Sequence, residues 1–90
     1  MGILEKAIET YGETSQIDKA IEEMAELTKA LLKLRYVEKD FEKDIVKDAV
    51  AEEMADVEIM LTQLHMIFKN GKKVEEYQRK KIERLERRLS

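Results

Sequence analysis

The sequence predicts an all-α fold, a helical bundle of three to four helices completed by oligomerisation. Three observations carry that prediction. The 90 residues contain no proline and only three glycines, whereas turn-rich β architectures depend on both as breakers. Only five residues are aromatic, and strands favour aromatic and β-branched side chains. Apolar residues recur in steps of three and four along most of the chain, the period of a helix that buries one face. A balance of 43% hydrophobic and 41% charged residues is too apolar for a disordered chain and too polar for a membrane one, so residues 1–90 are expected to form one domain. A domain of this size buries only about 60 to 65% of the surface its unfolded chain exposes. Self-association into a homodimer or homotetramer is the expected remedy.

Leu4, Ala7, Ile8 and Tyr11 have helical spacing ahead of Gly12 and predict a short first helix. Thr14 or Ser15 is expected to cap a second helix, with Asp18 near the positive end of its dipole. Its apolar face, Ile17, Ala20, Ile21, Met24, Leu27, Leu31 and Leu34, runs as far as Arg35. From Tyr36 to Asp44 the charged residues Glu38, Lys39, Asp40, Glu42, Lys43 and Asp44 break the pattern and suggest a solvated connection with room for a helical turn around Phe41, one that permits an antiparallel hairpin. A third helix is expected from about Ile45 to Asn70, stopped by Gly71, with Val46, Val50, Val57, Met60, Leu61, Leu64, Ile67 and Phe68 on its stripe. A last helix is expected from about Lys72, carrying Val74, Tyr77, Ile82, Leu85 and Leu89.

Charge divides the chain. Residues 1–71 hold 9 Lys and Arg against 16 Asp and Glu, net −7, whereas residues 72–90 hold 8 against 4, net +4. An acidic body disfavours nonspecific binding to nucleic acid, and a basic helix beside carboxylates suits either a phosphate site or charge pairing. With no cysteine there is neither a disulfide framework nor a thiolate metal site. No 18-residue apolar span and no signal-peptide pattern is present, so no membrane association and a cytoplasmic location are expected.

The middle of the two longest predicted helices carries a weak internal echo: Glu22-Glu23-Met24-Ala25-Glu26 against Glu52-Glu53-Met54-Ala55-Asp56. Glu23 and Glu26 lie one turn apart on one helix, and Glu53 and Asp56 do so on the next. Glu53 also falls on the series Val46, Val50, Glu53, Val57, Met60, Leu64 and Ile67, so a carboxylate occupies a packing position. A buried unpaired carboxylate is costly, and a cluster of them calls for a cation. Oxygen ligands without His or Cys select a hard divalent ion, Mg²⁺ first and Mn²⁺ second. Glu23 and Glu26 sit at the edge of their own stripe. An E-x-x-E pair alone is common on solvated faces, and it is the conjunction of two pairs with one member on a seam that points to metal.

The pattern E-E-x-x-E at Glu22 to Glu26, then 26 residues, then E-x-x-D at Glu53 to Asp56 resembles the MazG-type nucleoside triphosphate pyrophosphohydrolases of the all-α NTP pyrophosphatase superfamily, over roughly residues 15–86. The resemblance implies Mg²⁺ ligation by Glu23, Glu26, Glu53 and Asp56, with Glu22 as the catalytic acid that orients water or helps hold a second metal. It also implies a phosphate-binding K-x-x-R on the following helix, matched in type and placement by Lys81-Ile82-Glu83-Arg84. Better-known members often have Asn two residues before that Lys, where this chain has Arg79. The implied activity is Mg²⁺-dependent hydrolysis of a nucleoside triphosphate to monophosphate and pyrophosphate.

Other residues carry weaker signals. His65, the only histidine, projects away from Glu53 and reads as a surface or interface residue. Gln16, just ahead of the acidic motif, reads as an exposed helix-start residue or, by the resemblance, as a polar neighbour of the nucleotide. Met24, Met54, Met60 and Met66 read as adaptable packing. The di-iron four-helix pattern needs two E-x-x-H motifs, and the chain has none. Two other classes compete with the enzyme: a helical assembly module whose acids are merely solvated, and a catalytically inactive relative that still binds nucleotides.

Overall fold

A computed structural model describes residues 2–90, which form four helices and, among them, no strand. They are α1 (Ile3–Tyr11), α2 (Glu13–Tyr36), α3 (Asp40–Phe68) and α4 (Gly71–Leu89). The all-α class is as the sequence predicts.

Gly12 makes the first corner. Its N–H donates to the Ile8 carbonyl at 2.8 Å and its carbonyl accepts from Gln16 N–H at 3.1 Å, so one residue ends α1 and starts α2. Its φ of 91° and ψ of 152° belong to a region that only glycine visits cheaply. The expected cap at Thr14 or Ser15 is therefore corrected: both lie inside the first turn of α2, and no side chain caps it.

α2 and α3 pack as an antiparallel hairpin. On α2 the positions turned toward α3 are Gln16, Ala20, Glu23, Leu27, Ala30 and Leu34, and on α3 they include Val46, Val50, Glu53, Val57, Met60 and Ile67, each buried or half-buried. Both series step by four and three, the spacing of a two-helix seam. Ala20, Val46 and Met60 are the buried apolar residues of this seam.

The expected loop over Tyr36 to Asp44 shrinks to Val37–Lys39, and α3 begins at Asp40. The charges that suggested a loop are helix-compatible. Asp40 and Glu42 stand in the first turn, where the helix dipole favours acids, and Lys43 N–H bonds the Lys39 carbonyl at 3.0 Å. The other end of α3 also differs. It stops at Phe68 because Lys69 turns left-handed, at φ 53° and ψ 43°, and Gly71 opens α4 rather than closing α3.

α1 rests across the open end of the hairpin, with Leu4, Ala7 and Ile8 half-buried and Ile8 sharing a groove with Met66 and Ile67. α4 does not join this bundle. Every residue from Glu75 to Ser90 is exposed, so α4 leaves the hairpin as an arm. The radius of gyration is 16.6 Å, against about 12 Å for a compact chain of this length. Among the described residues no helix is long and apolar enough to cross a membrane.

Candidate metal centre

The seam brings Glu23 of α2 together with Glu53 and Asp56 of α3. One carboxylate oxygen from each lies within 4.8 Å of the other two. All three residues are half-buried, and the Glu23 side chain is only 12% exposed. This corrects the expectation that Glu23 sits at the edge of its stripe: it occupies a seam position, three residues after Ala20 and four before Leu27. Glu53 Oε2 is buried and has no hydrogen-bond partner.

The electrostatics follow from this placement. Burial, then repulsion from Asp56, Glu23, Glu26 and Glu52, raises the Glu53 carboxyl above its ordinary value. Lys19 is the nearby counter-charge, one turn before Glu23. Its Nζ is 3.1 Å from Glu23 Oε1 and 3.9 Å from Glu22 Oε1. The hydrogen bond to Glu23, then the charges of Glu22 and Glu23, hold the Lys19 ammonium above its ordinary value. One ammonium facing Glu22 and Glu23 leaves Glu53 Oε2 without a partner. Sequence inspection had not singled out Lys19, although the Lys19-to-Glu23 spacing of four is a standard helical ion-pair signal.

The other expected site residues are distributed differently. Glu26 stands outside the three-oxygen set. Its side chain is 46% exposed and 4.0 Å from Lys29 Nζ, yet it lines one groove with Glu53, Ala30 and Ala49. Glu22 is exposed and lines a second groove with Tyr11, Ser15, Gln16, Asp18, Lys19 and Met60. Gln16 is 8% exposed, so the reading of an exposed helix-start residue is corrected. Lys81 and Arg84 lie on the exposed arm and are not brought to the acids within one chain. His65 is exposed, and of the four central methionines only Met60 is buried. Gln63, which drew no attention in the sequence, is 3% exposed and its Oε1 has no partner.

The donor set is all oxygen and strongly acidic. Three carboxylates with one buried oxygen unpartnered fit a hard divalent cation that keeps several positions for water or phosphate. No family model matches the chain, and neither a curated protein nor a solved structure matches it.

Proposed function

We propose that the chain is a Mg²⁺-dependent nucleoside triphosphate pyrophosphohydrolase, the activity implied by its resemblance to MazG-type enzymes. The observation that supports this most is the convergence of Glu23, Glu53 and Asp56 around a buried, unpartnered Glu53 oxygen. Water adds to the α-phosphorus and pyrophosphate leaves, so that triphosphate and water yield monophosphate and pyrophosphate. When bound, Mg²⁺ (or Mn²⁺) neutralises phosphate charge and acidifies coordinated water.

Glu23, Glu53 and Asp56 would hold the cation, with Glu26, which shares a groove with Glu53, as the further carboxylate that the resemblance implies. Glu22, exposed beside the cluster, accepts a proton from the attacking water and aims it in line. The groove of Tyr11, Ser15, Gln16 and Met60 offers an apolar wall with polar edges for the rest of the nucleotide. Lys81 and Arg84 clamp the phosphates, since a triphosphate carries more charge than one divalent ion offsets.

The proposed enzyme works as a homo-oligomer. Ile21, Met24 and Leu31 of α2 and Met54, Leu61 and Phe68 of α3 are all at least 40% exposed. Each is one residue past a seam position or in line with one that is, on helices that run antiparallel, so all six share one side of the hairpin. The same side of a second copy covers them, and α2 and α3 of both chains form one bundle.

A second reading is favoured by the Lys19–Glu23 ion pair at 3.1 Å: an assembly module in which lysine, not metal, satisfies the acids. Pyrophosphate release from a mixed NTP and dNTP panel, with and without Mg²⁺, separates the two. The enzyme reading expects metal-dependent release that Glu53→Gln abolishes. Absence of release from every nucleotide, with no Mg²⁺ binding by calorimetry, would leave the assembly module.

A further inference from the structure

We propose that α4 is an exchanged arm, laying its apolar stripe with Lys81 in it across the acidic side of the α2–α3 hairpin of a second copy. Tyr77, Ile82, Leu85 and Leu89 are 53%, 57%, 48% and 79% exposed, so the stripe covers nothing in its own chain. Val74, Tyr77, Gln78 and Lys81 line one groove, which places the Lys81 ammonium within the apolar face rather than opposite it. At 100° per residue Arg84 and Arg88 flank the same face.

The surface that matches such a stripe alternates apolar and acidic groups. Besides Lys19, Lys29 and Lys33, the residues one before a seam position include these six: Glu22 and Glu26 on α2 and Ile45, Glu52, Asp56 and Ile59 on α3. Because the helices are antiparallel, all six share one side of the hairpin. Ile45 and Ile59 are 65% and 46% exposed, and Lys19 and Lys29 on this side already pair with Glu23 and Glu26. The opposite side, with Ile21, Met24, Met54 and Leu61, has one carboxylate in its stripe, Glu58, against the cations Arg35 and Lys47. Docking there would set Lys81 beside Arg35 and Lys47 with Glu58 as the one acid, whereas the first side offers Glu22, Glu26, Glu52 and Asp56.

Area and charge both select a second copy as the occupant. The chain exposes 7430 Å², whereas a compact monomer of its mass exposes about 5,500 Å². The excess of about 1,900 Å² exceeds the roughly 800 Å² per partner of a standard stable interface. The arm carries net +4 and the body net −7, so each chain holds both halves of the attraction. A two-fold exchange satisfies both at once. The docking stands on these observations alone, while the role it assigns to Lys81 and Arg84, completing the partner's phosphate site, rests on the enzyme reading.

The chain has no cysteine, which makes the test direct. Full-length Gln78→Cys and Ile59→Cys chains are mixed, oxidised and weighed. The expected product is a disulfide-linked dimer of twice 10.6 kDa, several-fold more abundant in the mixture than with either chain alone. Adding Lys81→Glu and Arg84→Glu to the arm should lower its yield. An internal disulfide in the Gln78→Cys/Ile59→Cys double variant, with none in the mixture, would overturn the exchange in favour of folding back. So would a chain that stays monomeric by light scattering while binding phosphatidylserine vesicles or RNA. Cross-linking without Mg²⁺-dependent hydrolysis would keep the arm and sink the enzyme; hydrolysis without cross-linking would do the reverse.

Discussion

Filling the carboxylate triad with Mg²⁺ should stabilise the fold by an amount that Glu53→Gln erases. The three oxygens lie within 4.8 Å of one another. An ion that binds only the folded chain adds RT ln(1 + [L]/Kd), about 2.7 kcal/mol at a hundredfold excess. At about 4–8 °C per kcal/mol for a domain of 60–100 residues, the melting temperature should rise by about 11–22 °C. Glu53→Gln keeps the shape but removes both the negative ligand and the repulsion from Asp56, Glu23, Glu26 and Glu52. It should melt at or above the wild-type temperature in EDTA and respond little to Mg²⁺. Glu22→Gln, an exposed control, should keep most of the rise. Differential scanning calorimetry at constant ionic strength makes the comparison, because screening alone also moves melting temperatures. An equal Mg²⁺ shift in wild type and Glu53→Gln, or a lower melting temperature for Glu53→Gln in EDTA, would refute the metal assignment.

Stability in EDTA should fall as pH rises from the ordinary carboxylate value through the elevated Glu53 value. In that window the folded chain holds a proton that the unfolded chain has released. Excess Mg²⁺ should flatten this slope, as urea titrations at several pH values would reveal. Lys19→Gln removes the cation that competes for Glu23 and should tighten Mg²⁺ binding several-fold by isothermal titration; weaker binding would mean that Lys19 supports the site. Met60→Ala empties the largest buried apolar position of the seam and should cost about 2–5 kcal/mol, read from the urea midpoint. Lys81→Ala and Arg84→Ala should each lower kcat/KM about tenfold or more, roughly 1.4 kcal/mol, with smaller losses at Arg87 and Arg88. Equal small losses at all four would mean diffuse attraction and no clamp.

The helices were legible because their apolar spacing is regular. Ala20, Leu27 and Leu34, or Val46, Val50, Val57 and Met60, announce a buried face whatever covers it. In the Asp40–Asp44 segment the charges hide all but a helical turn around Phe41, yet a first turn with Asp40 and Glu42 satisfies the helix dipole and needs no core, so α3 starts there. Glu53 was legible as a seam residue from its own helix. Glu23 was not, because the α2 stripe includes Ile21, Met24 and Leu31, which are exposed in one chain and pull the apparent centre of the face away from the seam. Gln16 and Gln63 look like surface residues by composition, and only the tertiary arrangement buries them. The direction of α4 left no trace in its pattern. An amphipathic stripe states that a face wants cover and is silent about which chain provides it.

That direction hangs on a single backbone corner, Lys69, the one non-glycine residue with positive φ among the described residues. From there α4 extends 19 residues, about 28 Å of helix at 1.5 Å per residue. It behaves mechanically as a lever. A swing of about 10° at the corner sweeps the far end through about 5 Å, close to the 5.4 Å pitch of one turn. Lys81, Arg84 and Arg88 stand roughly one turn apart, a ladder with the same spacing as that sweep. The sweep runs across the arm and the ladder along it, so a swing at Lys69 shifts the cations sideways, Arg88 furthest and Lys81 least, and leaves their register along the arm unchanged. The ladder cation nearest the corner is therefore the one whose position depends least on the corner's angle.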